Sequence, residues 1–136
     1  MVTVTPLTRL TDRYKDFRTD FEIHPVKMDL VLNKDENAII NSIQNILKTN
    51  VYERFFQPEF GANISGFLFE NIDQLTTVAI ENRISVAIRN FEPRANLLEV
   101  NAIGVPELNG YYITIVFSVI NKQEPITTTF LLNRIR

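Results

Sequence analysis

Cysteine is absent from the 136-residue chain, and histidine occurs once, at His24. The first absence excludes disulfides, thiolate catalysis and zinc sites of the cysteine type. The second excludes a multi-histidine metal centre. Only 4 glycines occur, and none cluster, so neither common nucleotide-binding glycine loop is present. The net charge of −2 gives no basic field that would draw nucleic acid or an anionic membrane surface. No apolar run approaches the roughly 20 residues needed to span a bilayer. The N-terminal MVTVTPLTRLTDR lacks the basic-then-apolar order of a secretory signal. The expectation is a chain made and kept in a reducing cytoplasm, or assembled into something there, with no cofactor and no metal.

What is present reads as one soluble domain. Hydrophobic residues make up 45% and charged residues 22%, and the length suffices for one core without staples. The start of the chain differs from the rest. Arg9, Asp12, Arg13, Lys15, Asp16, Arg18 and Asp20 alternate in sign with few large apolar residues. An N-terminal arm over residues 1–25 is expected, either a frayed tail or an arm that orders on a partner, followed by a domain over 26–136.

Met28 to Leu32 read as a short strand. Asn33 precedes Glu36 by three residues, the spacing of a capping box. Ile39, Ile43, Ile46 and Leu47 then fall at helical spacing, widened by Ile40, and Asn50 is a candidate left-handed terminator. The stretch VYERFFQPEFGANISGFLFENID has no clean period. It holds Tyr52, Phe55, Phe56, Phe60, Phe67 and Phe69, which must fold onto the core or present anchors to a partner. Residues 64–70 can form one or two helical turns.

A second helix is expected from about Gln74 to Asn90, with Asp73 as N-cap. Its apolar face comprises Leu75, Val78, Ile80, Ile84, Ala87, Ile88 and Phe91, with Glu81, Arg83 and Arg89 toward the other side. Pro93 forbids the α region for Glu92, so the helix should end by Phe91. Three strand-like segments follow, around 98–103, 111–120 and 126–135. Asn109-Gly110 favours positive φ in the first connection. The fold class is α+β: an antiparallel or mixed sheet with two main helices on one face.

Catalytic signatures are sparse. The serines lie in no nucleophile motif, and His24, followed by Pro25, reads as a surface or satisfied structural residue. Glu53, Glu59, Glu70 and Glu92 lie near aromatics, so a two-carboxylate hydrolase is the one enzymatic alternative. Glu92-Pro93-Arg94 is exposed punctuation after a helix, a contact point, or a fold device in which Glu92 and Arg94 pair with each other or with Arg89. At an exposed corner, truncating Arg94 should cost at most about 0.5 kcal/mol.

ERFFQPEFGANI (53–64), LFEN (68–71) and RNFEPR (89–94) resemble the gene-25-like baseplate wedge proteins of contractile-tailed bacteriophages, with relatives in type VI secretion baseplates and contractile bacteriocins. The resemblance covers about residues 29–135 and leaves out the 1–20 arm. It implies a fold similar to the conserved domain of the sheath subunit. It implies a structural, non-enzymatic role in the virion tail baseplate: docking on the wedge core, forming a ring and initiating the sheath. It also maps a docking motif onto Glu92, Pro93 and Arg94. Some family members carry a historical lysozyme-like label, which keeps the hydrolase alternative open, beside a transient assembly adaptor. The residues add one point of their own. ITTTFLL (126–132) carries neither charge nor internal proline, and soluble monomers normally blunt a sheet edge with one or the other. This strand, with Thr127, Thr128 and Thr129, is expected to be shared with tail sheath subunits.

Overall fold

The computed structural model describes residues 14–18, 20–120 and 124–133. The chain divides into two compact units, residues 1–38 and 39–136. Much of the N-terminal arm expected over 1–25 lies outside the described residues. Within the first unit, β1 (Lys15–Phe17) pairs antiparallel with β2 (Leu32–Lys34), and an isolated bridge joins Ile23 to Leu30. The strand expected at Met28–Leu32 is therefore displaced. Met28 sits at positive φ and closes a turn by donating its N–H to the His24 carbonyl at 2.9 Å. His24 is a turn residue: its Nδ1 accepts from the Val26 and Lys27 amides at 3.2 and 3.3 Å.

Helix α1 runs Glu36–Lys48. The capping box expected at Asn33 does not form. Asn33 is paired across the ladder with Asp16, so its backbone is already committed to a strand. In the second unit Ile39, Ile43, Ile46 and Leu47 are buried, as their spacing requires. Asn50 is not in the left-handed region either. Its amide and side chain bond Glu53, and its Oδ1 accepts from the Ser65 hydroxyl. The left-handed residue after the helix is instead Tyr52 (φ 71°), and Gly61 (φ 117°) returns the chain to the helix end, where a Cβ would collide with the Thr49 carbonyl. The aromatic stretch yields one 3-10 turn, Phe67–Phe69.

Helix α2 runs Gln74–Phe91. Asp73 caps it, accepting the Thr76 N–H at 2.7 Å, which also holds its carboxyl below the usual range. The helix stops at the residue that Pro93 dictates, with Glu92 outside the α region. Ile80, Ile84, Ala87 and Ile88 are buried, but Leu75 and Val78 face out. The apolar face is therefore narrower than its composition implies.

Strands β3 (Ala95–Val105), β4 (Gly110–Val119) and β5 (Pro125–Asn133) form a meander in the order β3-β4-β5, all antiparallel. The β3–β4 connection is a 3-10 turn, Pro106–Leu108, ended by Asn109 in the left-handed region. A bulge between Leu97 and Glu99 shifts the β3 register and turns Leu98 outward. On β4, Tyr111, Ile113, Ile115, Phe117 and Val119 are buried beneath the helical layer, and the alternate residues face away. Gly104 lets Ile72 approach, since any Cβ there would overlap the Ile72 side chain. The unit is α+β, with both helices on one face of an antiparallel sheet.

Candidate functional site

The corner after α2 is built around one buried carboxylate. Glu92 is 1% exposed, while Pro93 is exposed and the Arg94 side chain is 29% exposed. Arg94 forks onto it: Nε donates to Oε1 at 2.6 Å and Nη2 donates to Oε2 at 2.7 Å. The backbone fixes the same geometry. The Glu92 N–H donates to the Ile88 carbonyl, the Glu92 carbonyl accepts from Ala95, and the Arg94 carbonyl accepts from Ile120. Burial pushes the Glu92 carboxyl up. Hydrogen bonds from Arg94 and from the Ser42 hydroxyl of α1, together with the Arg94 charge, outweigh this and leave it below its ordinary value. Glu92 thus joins both helices; the expectation of an exposed corner is corrected, and the alternative in which Glu92 and Arg94 pair with each other is the one formed. Removing Arg94 would strand a charge in the interior.

Glu53 also moves down, held by the Asn50 amide and side chain. A general acid needs a carboxyl raised toward neutrality. Glu53 and Glu92 both move the other way, and each is occupied by a structural partner. Among the described residues no cluster of three or more His, Asp or Glu is placed to hold a metal ion. No helix among them is long and apolar enough to cross a membrane.

The aromatic stretch divides its residues between two tasks. Phe60 packs against Phe91 with ring centroids 5.1 Å apart and planes tilted by 53°, and the Arg54 guanidinium lies 4.6 Å from the centre of the Phe60 ring. Phe55 and Phe56 are each 97% exposed, and Tyr52 is exposed beside them.

The two edges of the sheet differ. The outer edge of β3 meets α2, where Glu81 accepts the Ala102 N–H at 2.8 Å. Glu81, expected on the outer side of the helix, is turned to the sheet. It borders the buried stripe between Ile80 and Ile84, which is the signal that sequence reading passed over. No strand pairs on the far side of β5 among the described residues. Thr127 and Thr129 are exposed on the outer sheet face, their neighbour Thr128 is half-buried, and the Thr129 hydroxyl lies 3.3 Å from that of Thr114. Beneath β5, a groove is lined by Gln44, Leu47, Lys48, Phe130, Leu131 and Leu132. The two groups lie on different elements, Thr127–Thr129 on the edge strand β5 and Glu92–Arg94 at the corner after α2. Tyr111, at the other end of the inner face, is buried with its hydroxyl unpartnered among the described residues. Burial and the charges of Asp73 and Glu70 push that hydroxyl up.

Comparison with known proteins agrees with this architecture. The anti-feeding prophage baseplate, solved by cryo-electron microscopy with 6-fold symmetrisation, contains a chain of the same fold. The TM-score is 0.62 at 20% identity, over 90% of this chain and 87% of that one. A Geobacter sulfurreducens protein, described as a candidate tail lysozyme, matches with a TM-score of 0.70 at 30% identity. That match covers 79% of this chain and 97% of the other. Baseplate wedge protein gp25 of Enterobacteria phage T4 is 40% identical over 107 residues, spanning 74% of this chain and 80% of that protein. The family model for baseplate wedge protein gp25 matches residues 33–124, the stretch that carries both helices and the Glu92–Arg94 corner, and the chain belongs to that family.

Proposed function

We propose that this chain is a structural subunit of a contractile-tail baseplate wedge, that it docks on the wedge core through the corner after α2, and that β5 accepts a strand from the first sheath subunits. Family membership supports the baseplate role and sheath-related assembly. The strand-sharing step rests on one observation, the unequal edges of the sheet. The β3 edge is interrupted by a bulge and engaged by Glu81. The β5 edge carries no charge over residues 126–132 and has beneath it a groove in which Leu47, Phe130, Leu131 and Leu132 lie beside Gln44 and Lys48. An added strand there would gain a backbone ladder and could place alternate side chains in the groove. In the docking step Glu92 acts through Arg94. The carboxylate spends its hydrogen bonds inside the domain, and the stiff corner presents Pro93 and the exposed part of Arg94, with little entropy to lose on contact. The subunit would form a ring in the tail baseplate, assembled in the host cytoplasm.

The strand claim is tested with Thr127→Lys/Thr129→Lys, which places charge on the exposed face of an edge strand without entering the core. The expected result is an unchanged melting temperature with sheath polymerisation from baseplates reduced or lost. Normal polymerisation by that variant, and by Thr128→Pro, would refute strand sharing. A Thr128→Pro variant that fails to fold would place that amide in the β4–β5 ladder and leave the lysine variant to decide.

A further inference from the structure

The loop between α1 and the 3-10 turn exposes two adjacent phenylalanines on a braced backbone. Phe55 and Phe56 are each 97% exposed. Exposed aromatics on a floppy loop would cluster or fold back, whereas this loop is tied at several points. The Tyr52 N–H donates to the Pro58 carbonyl at 2.7 Å, Gln57 N–H to Arg54 at 3.1 Å, and Phe60 N–H to Gln57 at 3.0 Å. Glu53 holds Asn50 through two bonds of 2.8 Å. Arg54 and Phe60 stack, and Phe60 rests on Phe91. Tyr52 sits at φ 71°, a left-handed conformation that bulky residues avoid and that recurs where surroundings impose it for a purpose.

We infer that Phe55 and Phe56, with Tyr52 beside them, form a preorganised anchor that enters an apolar pocket on the wedge core, next to the contact made by Arg94. The inference rests on the docking reading above and extends it to an adjoining surface. Continuity with the corner argues for this occupant. Phe91, under the Phe60 ring, is the residue before Glu92. Four residues reach at most about 14 Å, so Phe56 lies within that distance of Phe60. Corner and anchor therefore fit within one interface of standard size. Charge argues against other surfaces. Residues 50–61 carry Glu53, Glu59 and one cation, Arg54, which lies over the Phe60 ring. A loop of net charge −1 does not favour a phosphate backbone or an anionic bilayer, and it fits an apolar pocket with a neutral or basic rim.

The test titrates purified wedge-core complex of the same particle with wild type, Phe55→Ser/Phe56→Ser, Phe55→Leu/Phe56→Leu, and Glu92→Met/Arg94→Met. The last variant replaces the ion pair by apolar volume. The inference expects the serine variant to lose affinity by at least about 100-fold, the size of two hot-spot truncations, with its melting temperature unmoved. The leucine variant should recover most of that loss. Wild-type affinity in the serine variant, beside a large loss in Glu92→Met/Arg94→Met, overturns the anchor and leaves corner docking standing. No binding by the wild type overturns both. Sedimentation showing that the serine change dissociates a homo-oligomer, with wedge-core affinity retained, also overturns it, because the occupant is then a second copy of this chain.

Discussion

The corner at Glu92–Arg94 buries a carboxylate, and the loop at Tyr52–Phe56, joined to it through the Phe60–Phe91 contact, exposes two phenylalanine rings. Each inverts the usual partition of residue types between inside and outside. The buried charge is satisfied locally by the Arg94 fork and the Ser42 hydroxyl, so it needs no partner to explain it. The exposed rings have no such internal explanation, because the braces around them hold the loop rather than cover them. The difference separates two meanings of an unusual residue. A buried polar group with its bonds complete specifies the fold. An exposed apolar pair on a fixed backbone marks a surface that something else covers.

The largest effect that can break this contrast is on stability. Arg94→Ala leaves Glu92 buried and unpaired and should cost about 3–5 kcal/mol in chemical denaturation. A loss under about 1 kcal/mol would mean that the carboxylate reaches water and that the corner is an ordinary exposed turn.

Acid titration sharpens the same point with a smaller effect. The folded-state pKa of Glu92 lies below its ordinary value of 4.5, so its contribution to stability is complete above that value. It is lost as pH falls through the lower folded-state value. Glu92→Met/Arg94→Met should remove this component. Melting temperatures of that variant should therefore fall less than those of the wild type across the acid range. Parallel acid profiles would show that Glu92 is not held ionised by the fold.

The smallest expected effect lies on the other side of the comparison. Phe55→Ser/Phe56→Ser should change the stability of the free protein by no more than about 0.5 kcal/mol, since these side chains touch little. A loss of several kcal/mol would mean that the rings pack inside the fold in solution.

These regions were unequally legible in the sequence. Both ends of α2 were readable, because Asp73 and Pro93 act through bonds within a few residues of themselves. The meander was readable from its β-branched runs and from Asn109-Gly110. The start of α1 was misread because Asn33 belongs to a ladder with residue 16, a pairing that no local window contains. Asn50 was misread for a related reason: its side chain goes to Glu53 and Ser65 instead of ending a helix. At the corner, the resemblance singled out the three residues, but the hydrogen bond that Glu92 takes from Ser42 comes from another helix, fifty positions earlier. The aromatic loop has no period, so sequence left its rings to fold in or reach out. The structure sends Phe60 one way and Phe55 and Phe56 the other.

A near-atomic image of the intact baseplate, with this chain traced in place, decides between the proposed contacts and their absence. The expected image is a ring of copies in which a sheath strand lies along β5 and the corner at Arg94 faces the wedge core, with Phe55 and Phe56 buried against it. A baseplate in which β5 borders solvent and the corner points away from the wedge core would contradict it.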